Sequence, residues 1–249
     1  MVLKKSLGQH FLKDENILTK IVDAIKQQPF SQLLEVGPGG GALTKHLLLL
    51  PDIDFKAVEL DDEKVDLLPK HLPHTKGKII HKNFLHIDPP FEGVFTIVGN
   101  FPYNISTEIL FKSIDWKGQV ETVIGMFQKE VAQRVAAPAG SKVYGVISVL
   151  IQAFYDVEYL FDVPPESFNP PPKVMSGVIR LRKSANPLPV KSERAFKVLV
   201  KTAFNQRRKM LRNAVKSLFD ETTLQEDIFT KRAEQLTKED FAALSYRML

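Results

Sequence analysis

The sequence predicts an α/β protein built on a mostly parallel, doubly wound sheet with an antiparallel strand at its edge, followed by a small all-α domain. Three observations lead there. Short β-rich runs alternate with helical stretches through most of the chain, the pattern of a parallel sheet with crossover helices. A glycine-rich turn, Glu35-Val-Gly-Pro-Gly-Gly-Gly41, follows the first strand of that alternation. Beyond Lys183 the β-rich runs stop and the pattern is helical throughout.

The strands are expected at Gln32–Val36, Phe55–Leu60, Lys78–Lys82, Phe95–Gly99 and Thr122–Phe127. The helices are expected at Asp14–Gln28, Gly41–Leu50, Asp62–His71, Ile105–Ile114, Lys129–Ala136 and Tyr144–Phe154. Two later strands, Val157–Val163 and Gly177–Arg182, are joined by a Pro-rich loop, Pro164–Pro172, with no helix between them. A hairpin-like antiparallel pair at the sheet edge satisfies that connection. Ser184-Ala-Asn-Pro-Leu-Pro189 reads as a linker and divides the chain into domains 1–183 and 184–249. The second domain carries expected helices at Glu193–Phe204, Arg208–Phe219 and Thr237–Arg247, the last opened by a Thr237/Asp240 capping signal.

Composition excludes several classes. The chain has 249 residues, 44% hydrophobic and 25% charged, enough for a buried core without covalent staples. It has no cysteine, so disulfides and cysteine-ligated zinc or iron–sulfur sites are out, and a reducing, cytoplasmic setting is expected. Met1–Gln9 lacks an apolar signal core, and no apolar run approaches the ~20 residues of a membrane span. The six histidines show no metal-binding spacing; His71-Leu-Pro-His74 reads as a loop, and no metal is expected in the chemistry.

Charge is unevenly placed. Up to Lys183 the chain carries 21 basic and 21 acidic side chains, and from Ser184 onward 13 and 8, so the net +5 lies entirely in the C-terminal part. Such a surface suits a polyanion such as nucleic acid, although a solvated helical face would look the same on charge alone. Lys197 and Lys201 are four apart on an expected helix, as are Arg208 and Arg212, and Arg212 and Lys216, so each pair can share a face.

The glycine turn lets a backbone approach a ligand closely and enter a helix tightly. The spacing Gly37-x-Gly39-x-x-Ala42 also fits the dinucleotide fingerprint, so an NAD-dependent oxidoreductase competes at this stage. Glu35 tilts the balance: a carboxylate before the glycines repels a pyrophosphate and suits a ligand with a cationic amino-acid end, such as S-adenosylmethionine. Glu59, ending the second strand, can accept both ribose hydroxyls of a nucleoside cofactor. Asn83, ending the third, can accept from an adenine amine through its side-chain carbonyl, or can simply serve a turn.

The fourth strand ends in Asn100-Phe-Pro-Tyr103. An adenine N6 amine is a poor nucleophile because its lone pair is delocalised into the ring. Two acceptors aimed at its hydrogens favour a more tetrahedral nitrogen. The Asn100 side-chain oxygen and the Phe101 carbonyl can be those acceptors, Pro102 holds the backbone, and Tyr103 offers a face for a flipped base. A dehydrogenase has no use for this motif.

With these residues in hand, the chain resembles the KsgA/RsmA family of small-subunit ribosomal RNA adenine dimethyltransferases almost end to end. The resemblance is carried by Lys5-Ser-Leu-Gly-Gln-His-Phe-Leu12, the glycine turn and Glu59, Asn100-Phe-Pro-Tyr-Asn-Ile-Ser-Thr107 and Gln128-Lys-Glu-Val-Ala-Gln-Arg134. Gly140-Ser-Lys-Val-Tyr-Gly145, Phe168-Asn-Pro-Pro-Pro-Lys-Val-Met-Ser176 and Ala203-Phe-Asn-Gln-Arg-Arg-Lys-Met-Leu-Arg-Asn213 continue it in family order. It implies a Rossmann-like class I methyltransferase sheet and S-adenosyl-L-methionine as cofactor. It implies a monomer acting on small-subunit rRNA in an immature 30S particle, with two adjacent adenosines near the 3′ end each dimethylated at N6. It implies that Gln9, His10 and Leu12 help enclose the cofactor with Glu35, Gly37, Gly39, Glu59, Asn83 and Asn100, and that Phe168 forms a second aromatic wall opposite Tyr103. The candidate RNA contacts are Lys4, Lys5, Lys197, Lys201, Arg207, Arg208 and Arg212. Two departures stand out: Asn83 where the family usually has Asp, and Phe101 where it usually has Leu. The related Erm methyltransferases of large-subunit rRNA share the glycine turn and the Asn-x-Pro-Tyr logic, but Gly140–Gly145 and Phe204–Asn213 point to the small-subunit family.

Overall fold

Asp14 starts the main body of the chain. Its carboxylate accepts from the backbone N–H groups of Asn16 and Ile17, satisfying donors that a helix start leaves open. The helix it caps buries Ile17, Leu18, Ile21, Val22 and Ile25 on one face, the spacing of an amphipathic helix laid on a sheet. In the computed structural model, which describes residues 10–249, this helix is α1 (Glu15–Lys26), preceded by the two-residue strand β1 (Phe11–Leu12). Then follow β2 (Gln32–Val36), α2 (Thr44–Leu47), β3 (Asp54–Glu59), α3 (Asp62–His71), β4 (Ile79–His81), β5 (Phe95–Asn100), α4 (Ser106–Asp115) and β6 (Val120–Gln128). The chain continues through α5 (Lys129–Val135), α6 (Val146–Gln152), β7 (Tyr155–Val163), β8 (Phe168–Asn169) and β9 (Ser176–Lys183). It ends in α7 (Glu193–Asn205), α8 (Leu211–Ala214) and α9 (Lys238–Ser245).

Seven strands form one sheet in the order β4-β3-β2-β5-β6-β9-β7. The pairs β2–β3, β2–β5, β3–β4 and β5–β6 are parallel, and β6–β9 is antiparallel. β9 and β7 do close the sheet edge together, but the antiparallel strand β9 is one place in from the edge and β7 is outermost. The sequence reaches β3 on one side of β2 and then returns to β5 on the other, so β2 and β5 flank the topological switch point where α/β sheets bind ligands.

Below the end of β5, Phe101 is fully buried and wedged over two glycines. A Cβ at Gly125 would lie 2.2 Å from its ring, and one at Gly99 would lie 2.8 Å from it. Phe127 meets it edge-on at 5.2 Å between centroids. The chain therefore accommodates a large side chain after Asn100 by removing side chains beneath it.

The chain divides into two compact units. One takes the chain to Ala132 together with Glu158–Lys183; the other takes Gln133–Val157 with Ser184–Leu249. Gln133–Val157, placed by the sequence reading in the first domain, thus gathers with the C-terminal segment. Within that second unit α7 buries Phe196, Leu199, Val200 and Ala203, and Phe204 packs between the Tyr144 and Phe241 rings at 6.0 and 5.9 Å. Among the described residues no helix is long and apolar enough to cross a membrane.

Two expected helices are cut short. Gly41–Leu50 yields only the four residues of α2, because Gly39 and Gly41 take left-handed φ values of +54° and +82°. Arg208–Phe219 yields only α8, because Met210 bridges to Arg232 and the Leu211 N–H donates to the Lys231 carbonyl, which holds the preceding turn extended. Arg208, Arg212 and Lys216 therefore form no continuous helical stripe. Between α8 and α9 the chain makes three single 3₁₀ turns that carry no long periodicity.

Gly125→Ala should destabilise the fold by about 2–3 kcal/mol through overpacking against Phe101, measured by urea unfolding. Gly125→Ala combined with Phe101→Leu should recover part of that loss, since the smaller side chain relieves the clash.

Candidate active site

A cavity of about 310 Å³ opens over the carboxyl ends of β2, β3, β4 and β5. It is walled by four segments: the glycine turn, the end of β3, the end of β4 and the loop after β5. Residues 10–12 close it from above. It gathers His10, Leu12, Glu35, Gly37, Gly39, Glu59, Asn83 and Asn100–Tyr103, all within the first unit. Gln9, Lys4 and Lys5 lie outside the described residues.

The glycine turn is built for close approach. Gly37 has φ +71° and its missing side chain faces Pro102, whose ring would be 3.7 Å from a Cβ there. A Cβ at Gly39 would be 3.0 Å from the Phe11 ring. At Gly37 the 3.7 Å distance is ordinary contact and the left-handed φ is the constraint, whereas at Gly39 a side chain would also press on the Phe11 ring of the strap.

Glu35 is buried, and the Thr44 hydroxyl donates to its Oε2 at 2.7 Å. Burial, with a further push from the nearby Glu59 charge and against the Thr44 hydrogen bond, raises its pKa to about 8. A cationic group entering the cavity would restore its charge. Glu59 is the hinge of the turn. Its Oε2 accepts from the Gly39 N–H at 3.0 Å, and its Oε1 from the Leu60 and Asp61 N–H groups at 2.8 and 2.9 Å. Of roughly four acceptor sites on a carboxylate, three are therefore taken. One ribose hydroxyl can be accepted on Oε2; a second has to compete with a backbone donor, so the expected double acceptance is not available without a shift.

Asn83 takes the turn role, the second of its two expected tasks. Its Oδ1 accepts from the Leu85 N–H at 3.0 Å and caps the turn Phe84–His86. Because that N–H can only donate, the amide orientation is set. An adenine amine is left with the second lone pair of Oδ1 beside the donor Nδ2. Leu60, half-exposed at the cavity wall, supplies the apolar surface a nucleobase needs. The residues thus fit a nucleoside bearing a cationic amino-acid end: an acid for the cation, a carboxylate with a free acceptor site, an amide and an apolar wall.

At the reacting end, the Asn100 Nδ2 donates to the His10 carbonyl at 2.9 Å. A carbonyl can only accept, so the amide cannot be reversed, and Oδ1 takes no hydrogen bond among the described residues. His10 is itself held by a 2.9 Å contact from Nδ1 to the Pro170 carbonyl. The Tyr103 ring lies 5.6 Å from the His10 ring, tilted by 32°, and its hydroxyl is 2.6 Å from Ser176 Oγ. Burial raises the Tyr103 pKa, against the Ser176 hydrogen bond. With the Phe101 ring packed below, its share of the cavity wall is main chain.

Phe168 does not form a second aromatic wall here. It is 1% exposed and belongs to the core that also holds Leu12, Ile17, Val163 and Val178. β8 pairs antiparallel with β1, matching Leu12 to Phe168 and Phe11 to Asn169. Its task in this conformation is to anchor the strap. The cavity residues that the sequence reading did not single out include Phe11, whose ring covers Gly39 and carries the Lys64 ammonium 5.3 Å from its centroid, and Leu60. The alternation of a strand through residues 10–12 was the available signal for Phe11.

The basic candidates separate in the second unit. Lys197 and Lys201 are exposed on α7 with Arg194 on the same side, and Arg208 is exposed in the turn before α8. Arg207 is instead tied inward: its Nε meets Glu234 at 2.6 Å and its Nη2 donates to the Lys142 carbonyl. Arg212 is half-buried, with Nη2 3.6 Å from Met210 Sδ.

A glycine turn over a parallel sheet, an acid at each of two strand ends and an Asn-x-Pro-Tyr loop define a methyltransferase acting on an amino group of a nucleobase. Comparison with known proteins narrows the class. The family model for ribosomal RNA adenine dimethylases matches residues 2–248. The chain is 51% identical over 247 residues to the ribosomal RNA small subunit methyltransferase A of Cytophaga hutchinsonii, covering 97% of this chain and 95% of that protein. It is 49% identical over 250 residues to the protein of the same name from Flavobacterium johnsoniae, covering 98% and 95%. Among solved structures, a dimethyladenosine transferase from Plasmodium falciparum superposes with TM-score 0.81 at 24% identity, covering 96% of this chain and 99% of that one. The 23S rRNA methyltransferase ErmE superposes with TM-score 0.73 at 23% identity over 96% and 99%; at these identities the two share the fold. The chain belongs to the ribosomal RNA adenine dimethylase family.

The raised Glu35 pKa has a consequence for stability. The folded state keeps this proton up to about pH 8, whereas the unfolded chain releases it near the ordinary value of 4.5. Wild-type stability therefore falls as pH rises through that window, by up to ~1.4 kcal/mol per pH unit. Glu35→Gln should show little advantage at pH 5 and a growing one towards pH 8, levelling off above it, in thermal melts of the ligand-free protein.

Proposed function

We propose that this chain transfers methyl groups from S-adenosylmethionine to the N6 amines of two adjacent adenosines near the 3′ end of small-subunit rRNA, converting each to N6,N6-dimethyladenosine. The observation that carries this reading is the fixed orientation of Asn100, whose amide nitrogen is held by the His10 carbonyl so that Oδ1 is left for the substrate amine. The names of the relatives at about half identity support the small subunit as the target.

S-adenosylmethionine, when bound, supplies an electrophilic methyl. Glu35 meets its cationic amino-acid end, Glu59 a ribose hydroxyl, and Asn83 and Leu60 the base; Gly37 and Gly39 allow the approach, and residues 10–12 cover it. Asn100 Oδ1 and the Phe101 carbonyl accept the hydrogens of the adenosine N6, turning its lone pair towards the methyl. Pro102 holds that backbone, and Tyr103 stacks on the flipped base. Once the nitrogen is methylated, its surplus proton leaves to solvent. Residues 1–183 supply the catalytic centre, and the basic surface from Ser184 onward anchors the phosphates of an immature 30S particle. The enzyme acts as a monomer in the cytoplasm.

Asn100→Ala should lower the methyl-transfer rate by about 10²–10³-fold, the worth of one preorganised polar contact, while S-adenosylmethionine still binds. Rates on small-subunit particles with calorimetry of the cofactor check this; near-normal turnover would remove Asn100 from the chemistry. For the anchor, Lys201→Gln with Arg208→Gln should weaken particle binding and reduce the slope of log K against log salt by up to about 2 units. Arg207→Gln should act mainly on stability, because its guanidinium is engaged with Glu234.

A further inference from the structure

Ser176 ends the Phe168–Ser176 motif, and the chemistry above leaves its side chain without a task. It is the first residue of β9 and fully buried. The sheet fixes its place. Ser176 stands opposite Gln128 in the β6–β9 ladder, and the Lys129 N–H next to it donates to the Met175 carbonyl at 2.9 Å. The following residue, Gly177, lies under Tyr159, whose hydroxyl would be 2.4 Å from a Cβ there. Tyr159 donates to Asp162, and the Lys129 ammonium meets the same carboxylate at 2.5 Å. The corner that carries Ser176 is thus braced by a ladder, a packed ring and an ion pair.

From this braced corner the Ser176 hydroxyl reaches Tyr103 Oη at 2.6 Å. A tyrosine held only at its Cα can swing about χ1 and χ2. One held at its far end as well keeps a single axis of rotation, and the His10 ring at 5.6 Å limits that rotation. We propose that Ser176 is a positioning residue, whose hydroxyl tethers the Tyr103 ring so that the face offered to the substrate base is set before the adenosine arrives. This rests on the stacking role assigned to Tyr103. A ring already held loses no further freedom when a base stacks on it, so the tether favours the reactive arrangement.

The test is a double-mutant cycle on small-subunit particles. Ser176→Ala should lower kcat by about two- to tenfold, the range for one hydrogen bond, with cofactor affinity unchanged in calorimetry. Tyr103→Phe removes the same bond from the other side and should give the same loss. The two together should be no slower than either alone, because one bond is lost once. If Ser176→Ala unfolds, Tyr103→Phe still decides the matter, since it leaves the ring and β9 intact. Additive losses, or unchanged kcat in Tyr103→Phe, overturn the tether. Tyr103→Ala separates the two claims. A severe loss there with silent Ser176→Ala and Tyr103→Phe overturns the tether alone. Near-normal turnover in Tyr103→Ala overturns the stacking reading and the tether with it.

Discussion

The pairing of β2 with β5 is the constraint on which the site depends. Leu33, Leu34 and Glu35 lie opposite Thr96, Ile97 and Val98, two parallel strands reached from opposite sides of the sheet. Their ends must diverge, because the chain leaves one for α2 and the other for α4. The cavity is the space that divergence opens. The same register sets Gly37 against Pro102, so the glycine turn and the loop after β5 meet at the cavity wall. A one-residue slip would reverse every side chain and bring Leu34, not Glu35, to the cavity face.

A second layer of order comes from the strap. Residues 10–12 reach the cavity from the far side of the chain, and three modest interactions hold them: the β1–β8 pairing, the His10–Pro170 contact and the Asn100–His10 hydrogen bond. The last couples enclosure to chemistry. The carbonyl that ties the strap to Asn100 also decides which end of that amide is left facing the cavity. Asn100 would be free to present either end without it. Phe168, buried beneath this strap, serves the same coupling through packing.

How much of this was legible in the sequence depends on the range of the signal. β2 and the glycine turn were readable because strand, turn and helix follow one another locally. Asn100–Tyr103 stood out because the motif is four consecutive residues, and all four reach the cavity. The strand-end residues Glu59 and Asn83 both reach the cavity, and the turn role open to Asn83 is the one its Oδ1 takes, but the partner of Glu59 was not legible: it accepts from Gly39, twenty residues earlier. A spacing of twenty residues advertises no backbone donor. Phe168 misled because an aromatic in a Pro-rich loop has no periodicity to show which way it faces, and only pairing with Leu12, far away in the chain, buries it. The run Arg208–Phe219 looked helical by composition, yet a bridge to Arg232 holds its start extended. Arg207 looked like a free cation for the same reason, since Glu234 is remote in sequence.

The central claim concerns which base receives the methyl groups. The direct measurement is to incubate the protein with S-adenosylmethionine labelled in its methyl group and, separately, immature 30S particles, naked small-subunit rRNA and 50S particles, then map the labelled nucleotides. The account predicts label in 30S particles as N6,N6-dimethyladenosine at two adjacent positions near the 3′ end of the small-subunit rRNA, and none in 50S particles. Label on an adenine of the 50S particle, or on any atom other than N6, would contradict it.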